Sequence, residues 1–170
     1  MTSCRTPPPI QTEDSVDLER FMGDWWVHAN VPTFIEKGVW NALEQYELNE
    51  DGTVATTFSF NKGAADGPRK TYYPKGFVRD TESNAVWDMQ FIWPIKAEYR
   101  ILYVDEDYTE TVIGRRKRDY LWIMFRDQEV AEERLQALID FAVEQGYERE
   151  AILRVPLVVG FDPDAEDGSE

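Results

Sequence analysis

The sequence predicts an all-β fold with one C-terminal helix, namely an eight-stranded antiparallel up-and-down β-barrel. Three observations predict it. Short runs that alternate apolar and polar residues follow one another at near-regular spacing, each bounded by turn residues. One late stretch breaks that rhythm and carries its apolar residues at helical spacing. The 170 residues, 42% hydrophobic and 14% aromatic, suffice for one full core, with more rings than a minimal core requires. A ring-lined cavity is one use of that excess; the preference of β-sheets for aromatics is the other.

Residues 1–16 read as a polar, proline-rich tether. Asp17 to Met22 suits a short helical turn with Leu18, Phe21 and Met22 on its apolar side. The first strand, 25–31, sets Trp25, Val27, Ala29 and Val31 against Trp26, His28 and Asn30. A loop with Pro32 and Gly38 follows. The second strand, 40–48, places Trp40, Ala42, Glu44, Tyr46 and Leu48 on one face, and Asn49-Glu50-Asp51-Gly52 is a strong hairpin turn. The third, 53–61, alternates Val54, Thr56, Phe58 and Phe60; the fourth runs near 70–79. The fifth, 85–93, carries Trp87, Met89 and Phe91 on one face, and the sixth, 98–104, carries Tyr99, Ile101 and Tyr103. After the turn at 105–107, the seventh spans 108–114 and the eighth 119–126. The helix is expected over 128–145, with Asp127 as N-cap, Leu135, Leu138, Ile139 and Ala142 on its apolar face, and Gly146 as its stop. The chain ends in an acidic tail, 158–170.

The balance of charge excludes some partners. With 33 acids against 18 bases, a net −15, nucleic acid is disfavoured, and so is docking on an anionic membrane through surface charge. The one cysteine, Cys4, rules out an intrachain disulfide. The one histidine, His28, has no assignable nucleophile or orienting partner, so no catalytic residue is expected. It cannot alone build a metal site, and no cofactor is expected.

The residues with the most specific chemistry are Gly23-Asp24-Trp25 and, near the other end, Arg126 closing RDYLWIMFR. Gly lets the chain turn beside the large indole, and an Arg at the end of a late strand can lay its guanidinium over that ring. Between them, VDEDYTETVIG places Asp105, Asp107 and Tyr108 in a turn. These three segments, in this order over residues 17–157, resemble the lipocalin family, most closely its bacterial outer-membrane and apolipoprotein D-like branch.

The resemblance implies a calycin barrel whose base is closed by Gly23, Trp25 and Arg126, and whose cup binds a lipid such as a lysophospholipid or fatty acid. Residues expected to line it are Val27, Ala29, Glu44 and Tyr46, then Phe58, Phe60, Trp87, Met89, Phe91, Tyr99 and Ile101. Glu44 either sits inside the cup, where it would meet a polar head group, or is twisted out to solvent. Rival readings are a carrier of another apolar molecule (carotenoid, retinoid-like or haem) and a lipocalin-fold enzyme. Thr2-Ser3-Cys4 looks like the end of a lipoprotein signal. Lipidation of Cys4 would hold the domain at the outer membrane, facing the periplasm, and membrane contact is expected only through that anchor. The assembly is expected to be a monomer or a homodimer.

Overall fold

The computed structural model describes residues 6–33 and 37–165. A short helix α1 (Leu18–Phe21) precedes β1 (Gly23–Val31), β2 (Val39–Leu48), β3 (Val54–Lys62), β4 (Arg69–Tyr72) and β5 (Lys75–Val78). Then come β6 (Val86–Ile92), β7 (Ile95–Val104), β8 (Glu110–Gly114), β9 (Leu121–Phe125), α2 (Glu132–Glu144) and a short β10 (Leu153–Arg154), with a 3₁₀ turn at Arg149–Ala151. Neighbouring strands pair antiparallel in chain order and β9 returns to β1, which closes an eight-stranded barrel. The fourth strand expected from sequence is split into β4 and β5 at Tyr73-Pro74, because proline has no N–H for the ladder. β4 pairs only with β3, whereas β5 joins β3 to β6, so no ladder links β4 to β6 at that end of the barrel.

Two apolar layers form. The first fills the barrel and includes Phe21, Trp25, Tyr46, Phe58, Trp87, Tyr99 and Trp122. The second lies outside it, where Leu135, Leu138, Ile139 and Ala142 of α2 pack on Leu102, Val112, Leu121 and Ile123. Register shifts decide which layer a residue joins. The pairing of β1 with β9 slips between Val27 and Ala29, so His28 is the extra residue of a bulge. Val27 therefore points into the barrel and Ala29 points out, under α2. Ala29 is thus not on the cup wall as its spacing from Val27 suggests. The same slip between Ile101 and Tyr103 turns Tyr103 out against Phe141 of the helix. A third slip between Trp40 and Leu43, with Asn41 in the left-handed region at φ 50°, takes Trp40 off the inner face and puts Val39 there.

The helix begins later than expected. Its N-cap is Ala131, not Asp127, and no side chain caps it. Gly146 does stop it, at φ 102°. Both chain ends lie on the wall for part of their length. The Glu13 amide donates to the Ile101 carbonyl, Val16 is buried, and Arg118 donates to the Pro8 carbonyl. Of the expected tether, residues 8–16 thus lie along the barrel. Of the expected tail, Val158 donates to Asn41 and Phe161 packs edge-on against Trp26.

Candidate functional site

The two ends of the barrel are built differently. At one end, α1 lies across the opening and Trp25 stands behind it, its indole N–H donating to the Phe21 carbonyl at 2.8 Å. The Arg126 guanidinium lies 3.8 Å from the Trp25 ring centroid. It also donates to the carbonyls of Tyr108 (3.0 Å), Asp24 (2.9 Å) and Arg20 (2.8 Å), which ties α1, β1 and the β7–β8 turn together. Gly23 sits at φ 95°, where a side chain is strained, and a Cβ there would press within 3.2 Å of the Arg126 guanidinium. This end is shut.

Above that base, rings fill the section. Phe21, Tyr46, Trp87 and Tyr99 meet in edge and stacked contacts with centroids 4.8–6.4 Å apart. The Tyr46 and Tyr99 hydroxyls share a 2.8 Å hydrogen bond. Burial pushes the Tyr99 phenol well above the ordinary tyrosine range; the bond to Tyr46 opposes this and the charge of Glu44 adds to it. Glu44 is buried, and its register with Trp25 and Phe58 puts it on the inner face. Of its two sequence-level readings, the structure takes the inward one.

The other end is open and holds a cavity of about 230 Å³, lined by Thr33, Tyr72, Met89, Phe91, Ile92, Ile95, Ala97 and Tyr120. Its lining is almost entirely apolar. The residues expected to line the cup therefore divide. Met89 and Phe91 touch the cavity. Val27, Tyr46, Phe58, Phe60, Trp87, Tyr99 and Ile101 lie in the packed barrel interior, with Phe60 stacked on the cavity residue Tyr72 at 6.1 Å. Ala29 is outside. Thr33, Tyr72, Ile92, Ile95, Ala97 and Tyr120 were not anticipated: they sit at strand ends and hairpin tips, where alternation gives out. Tyr72 carries a signal in its register with Phe58, which an assumed pairing of β3 and β4 would have exposed. By the same ladder Lys70 pairs with Phe60, so an exposed cation stands on the inner face at the lip.

His28 takes no part in this. It lies outside the barrel, edge-on to Phe125, with its Nε2–H donating to the Asp127 carbonyl at 2.9 Å. Burial lowers its pKa, so the imidazole is neutral near pH 7. The polar hollow of about 260 Å³ beside it is spanned by the Arg154–Glu132 ion pair. Among the described residues no group of histidines, cysteines and carboxylates is placed to hold a metal. Cys4 lies outside the described residues.

Comparison with known proteins bears on the same segment. A family description, "Lipocalin-like domain", matches residues 16–157. Temperature-induced lipocalin-1 of Arabidopsis thaliana is 31% identical over 156 residues, covering 86% of this chain and 82% of that protein. The outer membrane lipoprotein Blc of Escherichia coli K12 is 24% identical over 153 residues, covering 87% and 85%. Among solved structures, insecticyanin from the tobacco hornworm Manduca sexta superposes with a TM-score of 0.67 at 12% identity, over 90% of this chain and 87% of that one, a likeness of fold.

Proposed function

We propose that this chain, which belongs to the lipocalin-like family, is a carrier whose cup takes up the acyl chain of a fatty acid or lysophospholipid and stores or carries it at the cell envelope. The observation that carries the reading is the apolar cavity at the open end. At about 230 Å³ it lies below the roughly 300–1,000 Å³ of sites that enclose a drug-sized molecule. Its size favours a slim chain that enters end-first over a broad ring system such as haem. Each buried methylene contributes about 0.8 kcal/mol, so a chain gains affinity without specific polar contacts. A carboxylate or phosphate head left at the lip would meet Lys70, on the inner face two residues from Tyr72.

The envelope part of the proposal draws on the relatives described as outer membrane lipoproteins and on the Thr2-Ser3-Cys4 sequence. Among the described residues no helix is long and apolar enough to cross a membrane, so a covalent lipid at Cys4 is the proposed means of attachment. The direct test of the cargo is native mass spectrometry with organic extraction of purified protein. A co-purified acyl lipid at one per chain supports the proposal; a coloured carotenoid or tetrapyrrole in its place sinks it. For the anchor, the protein expressed from its complete gene should partition with membranes and Cys4→Ser should release it. Equal solubility of the two forms removes the anchor and leaves the cup untouched.

A further inference from the structure

The largest exposed apolar surface of the barrel is not scattered. Ile92, Trp93 and Ile95 are 62%, 82% and 70% exposed, and all three belong to the β6–β7 hairpin tip at the open end. Tyr73, 76% exposed, sits at the junction of β4 and β5, across the notch where no ladder joins β4 to β6. Soluble surfaces seldom carry such a concentration without use. Trp93 sits on the turn and is not among the residues that line the mouth cavity.

Charge is sorted along the same axis. The turns at the closed end carry Asp51, Asp80, Asp105, Glu106 and Asp107. The open end has Lys96 beside the tip and Arg115, Arg116, Lys117 and Arg118 in the β8–β9 turn. Of the acids at that end, Glu98 is answered by Arg100 and Arg116 and Asp119 by Arg115, while Asp66 in the β3–β4 loop is outnumbered by Lys62, Arg69 and Lys70. Lys96, Arg116 and Lys117 together line one concavity. The longest strands are 9–10 residues long, so along them the two ends are separated by roughly 30 Å at about 3.3 Å per residue. That is several Debye lengths at physiological salt, about 8 Å each. A surface approaching the mouth therefore meets the basic end and not the net −15.

We propose that the open end is a docking face for an anionic lipid bilayer, with Trp93 entering the headgroup region and Lys96, Arg116 and Lys117 meeting lipid phosphates. Tryptophan suits that depth, since its ring is apolar and its N–H is polar. Nearby lysines can lay their stems on apolar surface and extend their charges into water, and Lys96 rests its ammonium 3.9 Å from the Phe77 centroid in a cation–π contact beside the tip. Docked mouth-down, the barrel presents its cavity and the notch beside it to the acyl layer, so a chain can pass without crossing water. The face does not depend on which cargo the cup holds.

The test uses the full chain as Cys4→Ser, so that no anchor contributes. Co-sedimentation is measured with phosphatidylcholine vesicles, with and without phosphatidylglycerol. Binding is expected only with phosphatidylglycerol, falling as salt rises. Trp93→Ser, Lys96→Glu and Lys117→Glu should leave the melting temperature and the solution affinity for a fluorescent fatty acid unchanged, since none of the three lines the cavity. Each lysine reversal should weaken vesicle partition about five-fold or more, and Trp93→Ser should remove the blue shift of tryptophan emission. Equal binding to both vesicle types, or full binding by the double lysine variant, overturns the proposal. So does a doubled mass in solution with Trp93 shielded, which would assign the face to a second copy of the chain. A fatty-acid probe that fails to bind while vesicle docking persists would break the cargo reading alone.

Discussion

The closed and open ends of this barrel use the same strands and the same alternation, yet they are made for different ends. At the base, every device reduces freedom: a capped helical turn, a buried indole, an arginine that bonds four carbonyls and covers a ring. At the mouth the sheet splits at Tyr73-Pro74, the inner wall is left unfilled, and apolar side chains face water. The base closes one end and keeps the fold; the mouth gives up contacts to keep a space. A cup needs both, because an empty apolar cavity forfeits dispersion contacts that must be made elsewhere.

The sharpest way to break that comparison is at the base. Trp25→Ala should cost about 3–5 kcal/mol, the range for a deleted buried aromatic. Denaturant titration measures it. A variant with normal stability but no ligand affinity would move Trp25 from the foundation to the site.

The next effect is electrostatic and lies toward the mouth. Burial alone would push the Glu98 carboxyl up, but Arg100 and Arg116 outweigh it and hold the pKa at about 2. Depressed below its unfolded value, Glu98 contributes stability that is full above about pH 4.5 and is lost as pH falls through about 2. Since Arg116 is largely exposed, screening trims the contribution to about 2 kcal/mol near neutrality. Glu98→Gln should therefore be destabilised by about that much at pH 7, with the gap to the parent closing as pH falls toward 2. A gap constant across that window would show that the pair acts through packing and not charge.

How much of this was legible in the sequence follows from the same contrast. The base is written in local signatures, and it was their resemblance to the lipocalin family that implied a base closed by Gly23, Trp25 and Arg126; the structure puts all three together. The inner wall was legible only as far as strict alternation holds. His28, Asn41 and Leu102 mark slips in register, and nothing in a histidine, an asparagine or a leucine announces a bulge. Hence Ala29 and Tyr103 face the helix and Trp40 leaves the inner face. The cavity itself was the least legible, because Ile92, Ile95 and Tyr120 sit at strand ends, where facing is set by three-dimensional closure. The helix start misled for a related reason: Asp127 is a good capping residue, but residues 126–129 form a bend after β9 and the chain turns helical only after Ala131. Net charge hid the sorting of bases to one end, since a sum discards position.

A third experiment fills the space the mouth preserves. Ala97 lines the cavity on β7 and is partly exposed. Ala97→Phe should reduce affinity for a fatty-acid probe at least about ten-fold, a change of about 1.4 kcal/mol. Because the new ring enters open space and not packed atoms, stability should stay within about 1 kcal/mol of the parent. An affinity that survives the substitution would place the cargo elsewhere than in this cavity.

The smallest expected effect is the most pointed comparison, one tryptophan against another. Trp25 is fully buried and Trp93 is 82% exposed, yet composition counts them alike. Removing the exposed ring deletes no buried contact, so Trp93→Ser should change unfolding free energy by no more than about 0.5 kcal/mol. Denaturant midpoint and slope both test it, the slope because an exposed ring adds little to the surface uncovered on unfolding. A loss above about 1 kcal/mol would mean that the hairpin tip supports the barrel, and the division between a supporting base and an unburdened mouth would fail at its clearest residue. Unchanged stability would instead leave Trp93 as a ring held in water at no benefit to the fold, the condition a surface residue kept for a partner has to meet.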